Sequence, residues 1–233
     1  MIESIGSEHQ KWVQGRPQDW KIKRYKEVFA ERNDRSETGE ELLLSVSAYT
    51  GVTPRSDLVD EGDLLSRADS LVDYKKCYPN DLVMNIMLAW NKGLAFTDIQ
   101  GIVSPAYAVF EVISNDDPRF LNYLVRDDEV NLYFKSYSTG IIDSRLRLYP
   151  EVFGGLYCVL PDSDTQTRIA NFLDVETMKI DRLIQKQEGL IERLKTKRHL
   201  EISSAVTLGI DKSAQMTNCN NKLLEKNTQA LGI

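Results

Sequence analysis

Between Pro161 and Gly209 the apolar positions fall on one helical stripe. They are Ile169, Phe172, Leu173, Ile180, Leu183, Ile184, Leu190, Ile191 and Leu194, at spacings of three, four and seven. Charged residues fill most of the remaining positions. After the opening Pro161-Asp-Ser-Asp164 there is no proline before Gly209 and a single intervening glycine, Gly189. The pattern predicts one unbroken helix. From Asp174 to Val206 it would run roughly 50 Å, at about 1.5 Å per residue. A helix of that length cannot lie along a domain this small over its whole course. Its outer part needs another helix to cover the stripe.

The preceding 160 residues alternate between short apolar runs and turn signals. Trp20, Ile22, Tyr25, Val28 and Phe29 predict a strand or short helix. Leu42–Tyr49 reads as a buried strand closed by a turn at Gly51–Pro54, and Tyr78–Asp81 as a second turn. Leu82–Ile86 is a strand entering the glycine-bearing loop Leu88–Gly93. Gly101–Val112 is a strand pair interrupted by Pro105. Pro118–Leu124 reads as a helix, Tyr133–Thr139 as a polar, aromatic stretch ending at Gly140, and Phe153–Leu160 as the last strand. No regular βαβ period or internal repeat occurs, so the fold class is α+β: a mixed α/β domain followed by a long coiled-coil-forming helical region. The segment after Ile210 is polar, and a short helix is expected near Asn221–Leu231.

Composition changes this picture little. The chain has 233 residues, 42% hydrophobic and 27% charged, enough for one ordinary domain and an appendage. No apolar run reaches about 18 residues, so no membrane span is expected. The start, Met1–Trp12, has no apolar stretch of the secretory kind. Cys77, Cys158 and Cys219 are odd in number and widely spaced, which fits a reducing cytoplasm.

Charge is more informative. The net value of −6 is unevenly spread. Residues 11–35 hold eight basic side chains against four acidic ones, whereas acidic residues concentrate at 57–73 and 127–129. Such a surface can present a basic face although the total is negative. A mixed solvated surface accounts for the same numbers.

Several chemistries lack their residues. The only histidines are His9 and His199, so neither a Ser-His nor a Cys-His nucleophile is expected, and no Cys/His cluster suits a zinc ion. There is no GxxxxGK[ST] phosphate loop and no GxGxxG following a strand. The acidic pairs Asp116-Asp117 and Asp127-Asp128-Glu129 adjoin turns and read as solvated surface. No catalytic residue, metal or cofactor is therefore assigned, and the chain reads as a recognition module rather than an autonomous enzyme.

A set of ordered motifs sharpens this. They are Gly15-Arg-Pro17 with Trp20, Tyr78-Pro-Asn-Asp81-Leu-Val-Met-Asn85, Gly101-Ile-Val-Ser-Pro-Ala-Tyr107, Phe120-Leu-x-Tyr123-Leu, and Gly140 to Leu148. The helix adds Leu160-Pro161, Gln166, Ile169-Ala170, Phe172-Leu173-Asp174, Thr177, Lys179-Ile180-Asp181, Leu183-Ile184, and Ala205-Val-Thr207 with Gly209. In order and spacing the chain resembles the specificity subunit of type I restriction–modification systems, in a half-length form with one target recognition domain. It departs from that family at Asn80, where glycine is usual, and at Thr165, where glutamate is usual.

The resemblance implies a DNA target recognition domain over 1–160, a helical dimerisation and spacer region over 161–208, and a tail over 209–233. It implies a non-catalytic subunit that reads one half of a bipartite target on double-stranded DNA. Methyltransferase subunits would dock on it, and a motor-nuclease subunit would join in the full complex. Two copies of the helix could pair antiparallel as a homodimer, burying Ile180, Leu183, Ile184, Leu190, Ile191 and Leu194. Base-reading candidates are Arg55, Asn91, Lys92, Ser136, Tyr137 and Ser138. Lys75, Lys76, Lys135, Arg145 and Arg147 are candidates for phosphate contact. The alternative is a coiled-coil adaptor or decoy that binds methyltransferase subunits without reading DNA.

Overall fold

The computed structural model describes residues 9, 15–57, 70–142 and 145–210. The expected helix at Asn221–Leu231 and Cys219 lie outside the described residues. The chain forms two compact units, Met1–Val175 and Glu176–Ile233. The described strands are β1 (Lys21–Arg24), β2 (Phe29–Glu31), β3 (Leu44–Ser47), β4 (Gly51–Pro54), β5 (Lys75–Cys77), β6 (Leu82–Asn85), β7 (Leu94–Phe96), β8 (Gly101–Val103), β9 (Tyr107–Val112) and β10 (Tyr157–Leu160). The main helices are α1 (Pro118–Val125), α2 (Asp128–Ser136), α3 (Pro150–Gly155) and α4 (Ser163–Leu208).

The first unit is built on an antiparallel sheet ordered β2-β9-β6-β7. All four residues of β6 are buried, because both faces of this sheet are covered. Period-two alternation then sorts the side chains. Leu82, Met84, Ala108 and Phe110 enter one core with α1, α2 and α3. Val83, Ala95 and Val109 enter a second core, beneath the ribbons β3–β4 and β5–β8. Phe153 is the hub of the first core. Its ring lies 4.6 Å from Tyr25, 5.2 Å from Phe110 and 5.6 Å from Phe134. Such contacts add about 0.5–1.5 kcal/mol each beyond the area they bury.

β1 pairs with β10, Lys21 opposite Leu160, which ties the start of the unit to the residues preceding α4. Asp162 then caps α4, accepting from the Thr165 amide at 3.0 Å and its hydroxyl at 2.9 Å. Gln166 is fully buried one turn on. Its amide nitrogen donates to Asp116 at 2.6 Å and to the Pro161 carbonyl at 3.0 Å, and its oxygen accepts from the Asp117 amide at 2.8 Å. Lys23 pairs with Asp116 at 2.7 Å. Arg119 bonds Asn171 and Asp174, and the Tyr123 hydroxyl donates to Asp174 at 2.9 Å. The first three turns of α4 are thus welded to α1 and β1. The Asp116-Asp117 pair, expected as solvated surface, is instead the centre of this lock.

In the second unit α4 continues as helix to Leu208. Every residue from Met178 to Leu208 is exposed, including the apolar stripe from Ile180 to Leu194. Gly189 sits mid-helix with open space where a Cβ would stand, at a cost of about 1 kcal/mol relative to alanine. Ion pairs Glu176–Lys179 and Glu192–Lys195, both 2.7 Å, return only a few tenths each. No described helix is long and apolar enough to cross a membrane.

Four local expectations change. Gly51–Pro54 is strand β4, not a turn: Gly51 takes φ 73°, so the hairpin closes at Ala48–Thr50. Gly101–Val112 gives β8 and β9 in two different sheets, not one pair. Tyr133–Thr139 begins inside helix α2, which Asp127 caps by accepting from the Glu129 and Val130 amides. Phe153–Leu160 is the end of α3 followed by β10. The turn at Tyr78–Asp81 is present. Asn80 there holds φ 69°, a conformation free to glycine and tolerated by asparagine.

The lock and the core give three expectations for urea unfolding. Gln166→Ala removes three hydrogen bonds at a buried position and lowers stability by about 2 kcal/mol. The Tyr25 hydroxyl is buried without a partner, so Tyr25→Phe leaves stability unchanged within about 0.5 kcal/mol or raises it. Burial pushes the Asp116 carboxyl up, but the bonds from Lys23 and Gln166 outweigh it and hold it below the ordinary value of 3.8. Its contribution is therefore complete above pH 3.8 and lost as pH falls below that value. Asp116→Asn is expected to be less stable than wild type at pH 7, with the gap narrowing in acid.

Candidate nucleic-acid interface

The loop between β6 and β7 carries Asn91 and Lys92 and is held at every turn. The Asn85 side chain accepts from the Met87 amide at 3.1 Å, and Trp90 Nε1 donates to the Met87 carbonyl at 3.0 Å. A Cβ on Gly93 would stand 2.5 Å from Leu88, so only glycine closes the loop. Lys92 takes φ 59°, which costs a side-chain-bearing residue roughly 1–2 kcal/mol. It is retained there because buried Asn131 of α2 accepts from its amide at 2.8 Å. Asn131 in turn donates to the Val125 and Asp127 carbonyls at 3.1 and 2.7 Å.

Arg126, between α1 and α2, makes the second tie. Its guanidinium donates to the carbonyls of Ala48 at 2.7 Å, Leu94 at 3.1 Å, Lys92 at 3.3 Å and Ser47 at 3.5 Å. It is half-buried, and desolvation pulls its pKa down from the usual arginine value. Four backbone acceptors stand where a counter-ion would, and they bind the β3–β4 hairpin tip to the Lys92 loop.

The structure brings four of the sequence candidates around this loop, Asn91, Lys92, Lys135 and Ser136. Asn91 is exposed. The Lys92 ammonium lies 2.6 Å from Asp128, a surface pair of little energetic weight. Lys135 sits 4.8 Å over the Trp90 ring. Ser136 lies at the end of α2, and its hydroxyl donates to the Tyr133 carbonyl at 2.8 Å. The segment bearing Arg145 and Arg147 folds back on Thr139 through paired backbone bonds with Arg147, and the Leu148 amide donates to the Ile86 carbonyl at 2.9 Å. Gly140 makes this return possible, since a Cβ there would stand 2.6 Å from the Arg145 carbonyl oxygen.

The other candidates fare differently. The Ser138 hydroxyl donates to the Phe134 carbonyl at 2.9 Å, which closes the helix end. Tyr137 packs against the first core and stacks on His9 at 4.9 Å. It is a packing residue rather than an outward base reader. Arg55 follows β4, half-exposed, in a separate group with β5. Lys76 there pairs with Glu41 at 3.2 Å. Lys75 is only 7% exposed and pairs with Glu31 at 3.1 Å, so its charge is committed inside the unit and cannot serve a phosphate.

Arg126 and Asn131, which hold the loop, are not among the residues the sequence singles out. Asn131 had one legible signal, a polar residue three positions before Phe134 on the helix face that packs inward. Cys77 and Cys158 are buried, and burial pushes the Cys77 thiol up to about 12 and the Cys158 thiol higher still. Neither is a reactive thiolate near neutral pH. Among the described residues no group of three His, Cys, Asp or Glu is placed to hold a metal ion.

With this geometry the fold matches solved structures. One is a chain from the complex assembly and conformational transition of the type I R-M system, with a TM-score of 0.59, 16% identity, and coverage of 82% of this chain and 47% of that one. Another is the HsdS subunit from Thermoanaerobacter tengcongensis, with a TM-score of 0.53, 16% identity, and coverage of 86% and 52%. At that identity the likeness establishes a shared fold, a mixed sheet-and-helix domain with a long C-terminal helix. The chain spans about half the length of the solved chains it matches. No protein-family model and no curated protein matches it.

The Asn131 tie has a direct readout. Asn131→Ala removes the acceptor that holds Lys92 in its strained conformation. Amide exchange at Lys92 is expected to speed up by about tenfold or more, for a loss of about 1.4 kcal/mol. Unchanged exchange would mean that the loop is held by other contacts.

Proposed function

We propose that the chain is a sequence-specific DNA-recognition subunit of a type I restriction–modification complex. It reads one half of a bipartite duplex target and is not itself catalytic. The observation that carries this is the shared fold with a type I R-M chain and an HsdS subunit, over more than four fifths of this chain. The ordered sequence motifs support it independently. The loop bearing Asn91 and Lys92 supplies donors and acceptors for base edges in the major groove. Lys135, Arg145 and Arg147 flank it as phosphate contacts, which position the protein without specifying sequence.

The helix supplies the spacing. Ile180, Leu183, Ile184, Leu190, Ile191 and Leu194 are each 48–59% exposed. Covering the remaining surface contributes about 1 kcal/mol per side chain. Twelve such side chains in an antiparallel homodimer give on the order of 10 kcal/mol, against an association cost of about 4–15 kcal/mol. The seam alone is therefore a modest dimer. Methyltransferase subunits docking beside it, and a motor-nuclease subunit in the full complex, would complete the assembly in the cytoplasm.

The ion-paired state of Lys75, Lys76 and Lys92 favours a second reading, an adaptor or decoy that holds methyltransferase subunits without touching DNA. The full chain, alone and with methyltransferase subunits, separates the two when offered a pool of random duplexes. A DNA reader enriches a split consensus, and its affinity falls linearly in log–log with salt. Equal binding to enriched and random duplexes would overturn the DNA-reading proposal. In sedimentation, wild type is expected to show a concentration-dependent species of twice the chain mass, and Leu183→Asp with Leu190→Asp only the single chain. A wild type that stays single at all concentrations contradicts the homodimer.

A further inference from the structure

We infer that the tip of the β3–β4 hairpin is itself a base-reading element, with Tyr49 as the contacting side chain and Arg126 as the residue that positions it. The inference rests on the DNA-reading proposal and extends it to residues outside the predicted set. Tyr49 is 95% exposed, more than any other aromatic side chain among the described residues. Its backbone, by contrast, is fixed. Gly51 supplies the left-handed turn, the Tyr49 amide donates to the Ser47 hydroxyl at 3.2 Å, and Arg126 holds the Ser47 and Ala48 carbonyls. A large side chain presented bare on an immobilised tip loses little conformational entropy on binding.

The shape favours duplex DNA as the partner. β3–β4 is a two-stranded ribbon of its own, and the major groove, about 12 Å wide, admits such a ribbon. The position favours it too. Through one guanidinium the tip is held within reach of the Lys92 loop, so both would face the same stretch of duplex. The planar fork of arginine can span four carbonyls; a lysine ammonium cannot. Arg126 therefore sets the register between two reading loops without touching the DNA.

The test uses the full chain and the duplex it enriches from a random pool. Tyr49→Ala touches no packing contact and is expected to keep the wild-type unfolding midpoint. It should also keep the affinity and salt slope for random duplex. Discrimination should fall about tenfold at one or two adjacent base pairs, the size of a single base contact. Arg126→Lys should weaken discrimination both at those positions and at the ones read by the Asn91–Lys92 loop. If wild type enriches a consensus and Tyr49→Ala keeps it intact, the inference is overturned while the DNA-reading proposal stands. Equal weakening on enriched and random duplex would make Tyr49 a backbone contact and also overturn it. If wild type enriches nothing, the underlying proposal fails and takes this inference with it.

Discussion

An apolar stripe left open to water is a cost that a folded chain does not carry without return, and α4 carries one along every turn from Met178 to Leu208. Its two surface ion pairs and its helix propensity cannot offset six half-bared aliphatic side chains. The stripe acquires a stabilising role only when another helix covers it. The spacing role proposed for this protein follows from that constraint, because a helix that needs a partner helix can also set the distance between whatever the partners carry.

Within the first unit, the Gln166 lock fixes the start of α4 against its own sheet and helix. Gln166 meets Asp116 and Asp117, and two turns on Asp174 meets Arg119 and Tyr123. Several of these residues belong to the motifs by which the chain resembles type I specificity subunits. Their physical role is now plain: they are a rigid joint between a sheet and the first three turns of a helix. The Lys92 loop has its own joint in buried Asn131 and half-buried Arg126, which spend their bonds on backbone. The exposed side chains Tyr49 and Asn91 thus stand on loops whose backbone is held by packed side chains.

What could be read from sequence divides along physical lines. The helix from Pro161 to Gly209 was legible because a long 3.6-residue period has no competitor. β6 was legible because a strand covered on both faces is uniformly apolar. α2 was less legible: Val130, Tyr133, Phe134 and Tyr137 carry helical spacing behind an Asp127 cap, but the helix is short and its polar, aromatic end runs straight on toward Gly140. Gly51 reads in sequence as a turn of its own, whereas its positive φ only closes a hairpin loop that begins at Ala48. Site residues were the least legible. Lys75 and Lys76 look alike in the sequence, yet one is buried on Glu31 and the other is half-exposed. Only packing distinguishes them. Arg126 was invisible because its partners are carbonyls from three distant segments, and no local pattern announces that.

The central claim is that the bare helix spaces two DNA-reading domains. Hydroxyl-radical footprinting of the full chain on the duplex it enriches addresses spacing and reading together. The account predicts two protected patches, equivalent by twofold symmetry and separated by one or more turns of unprotected duplex. A single patch, or protection that shifts at random along the duplex, would contradict it.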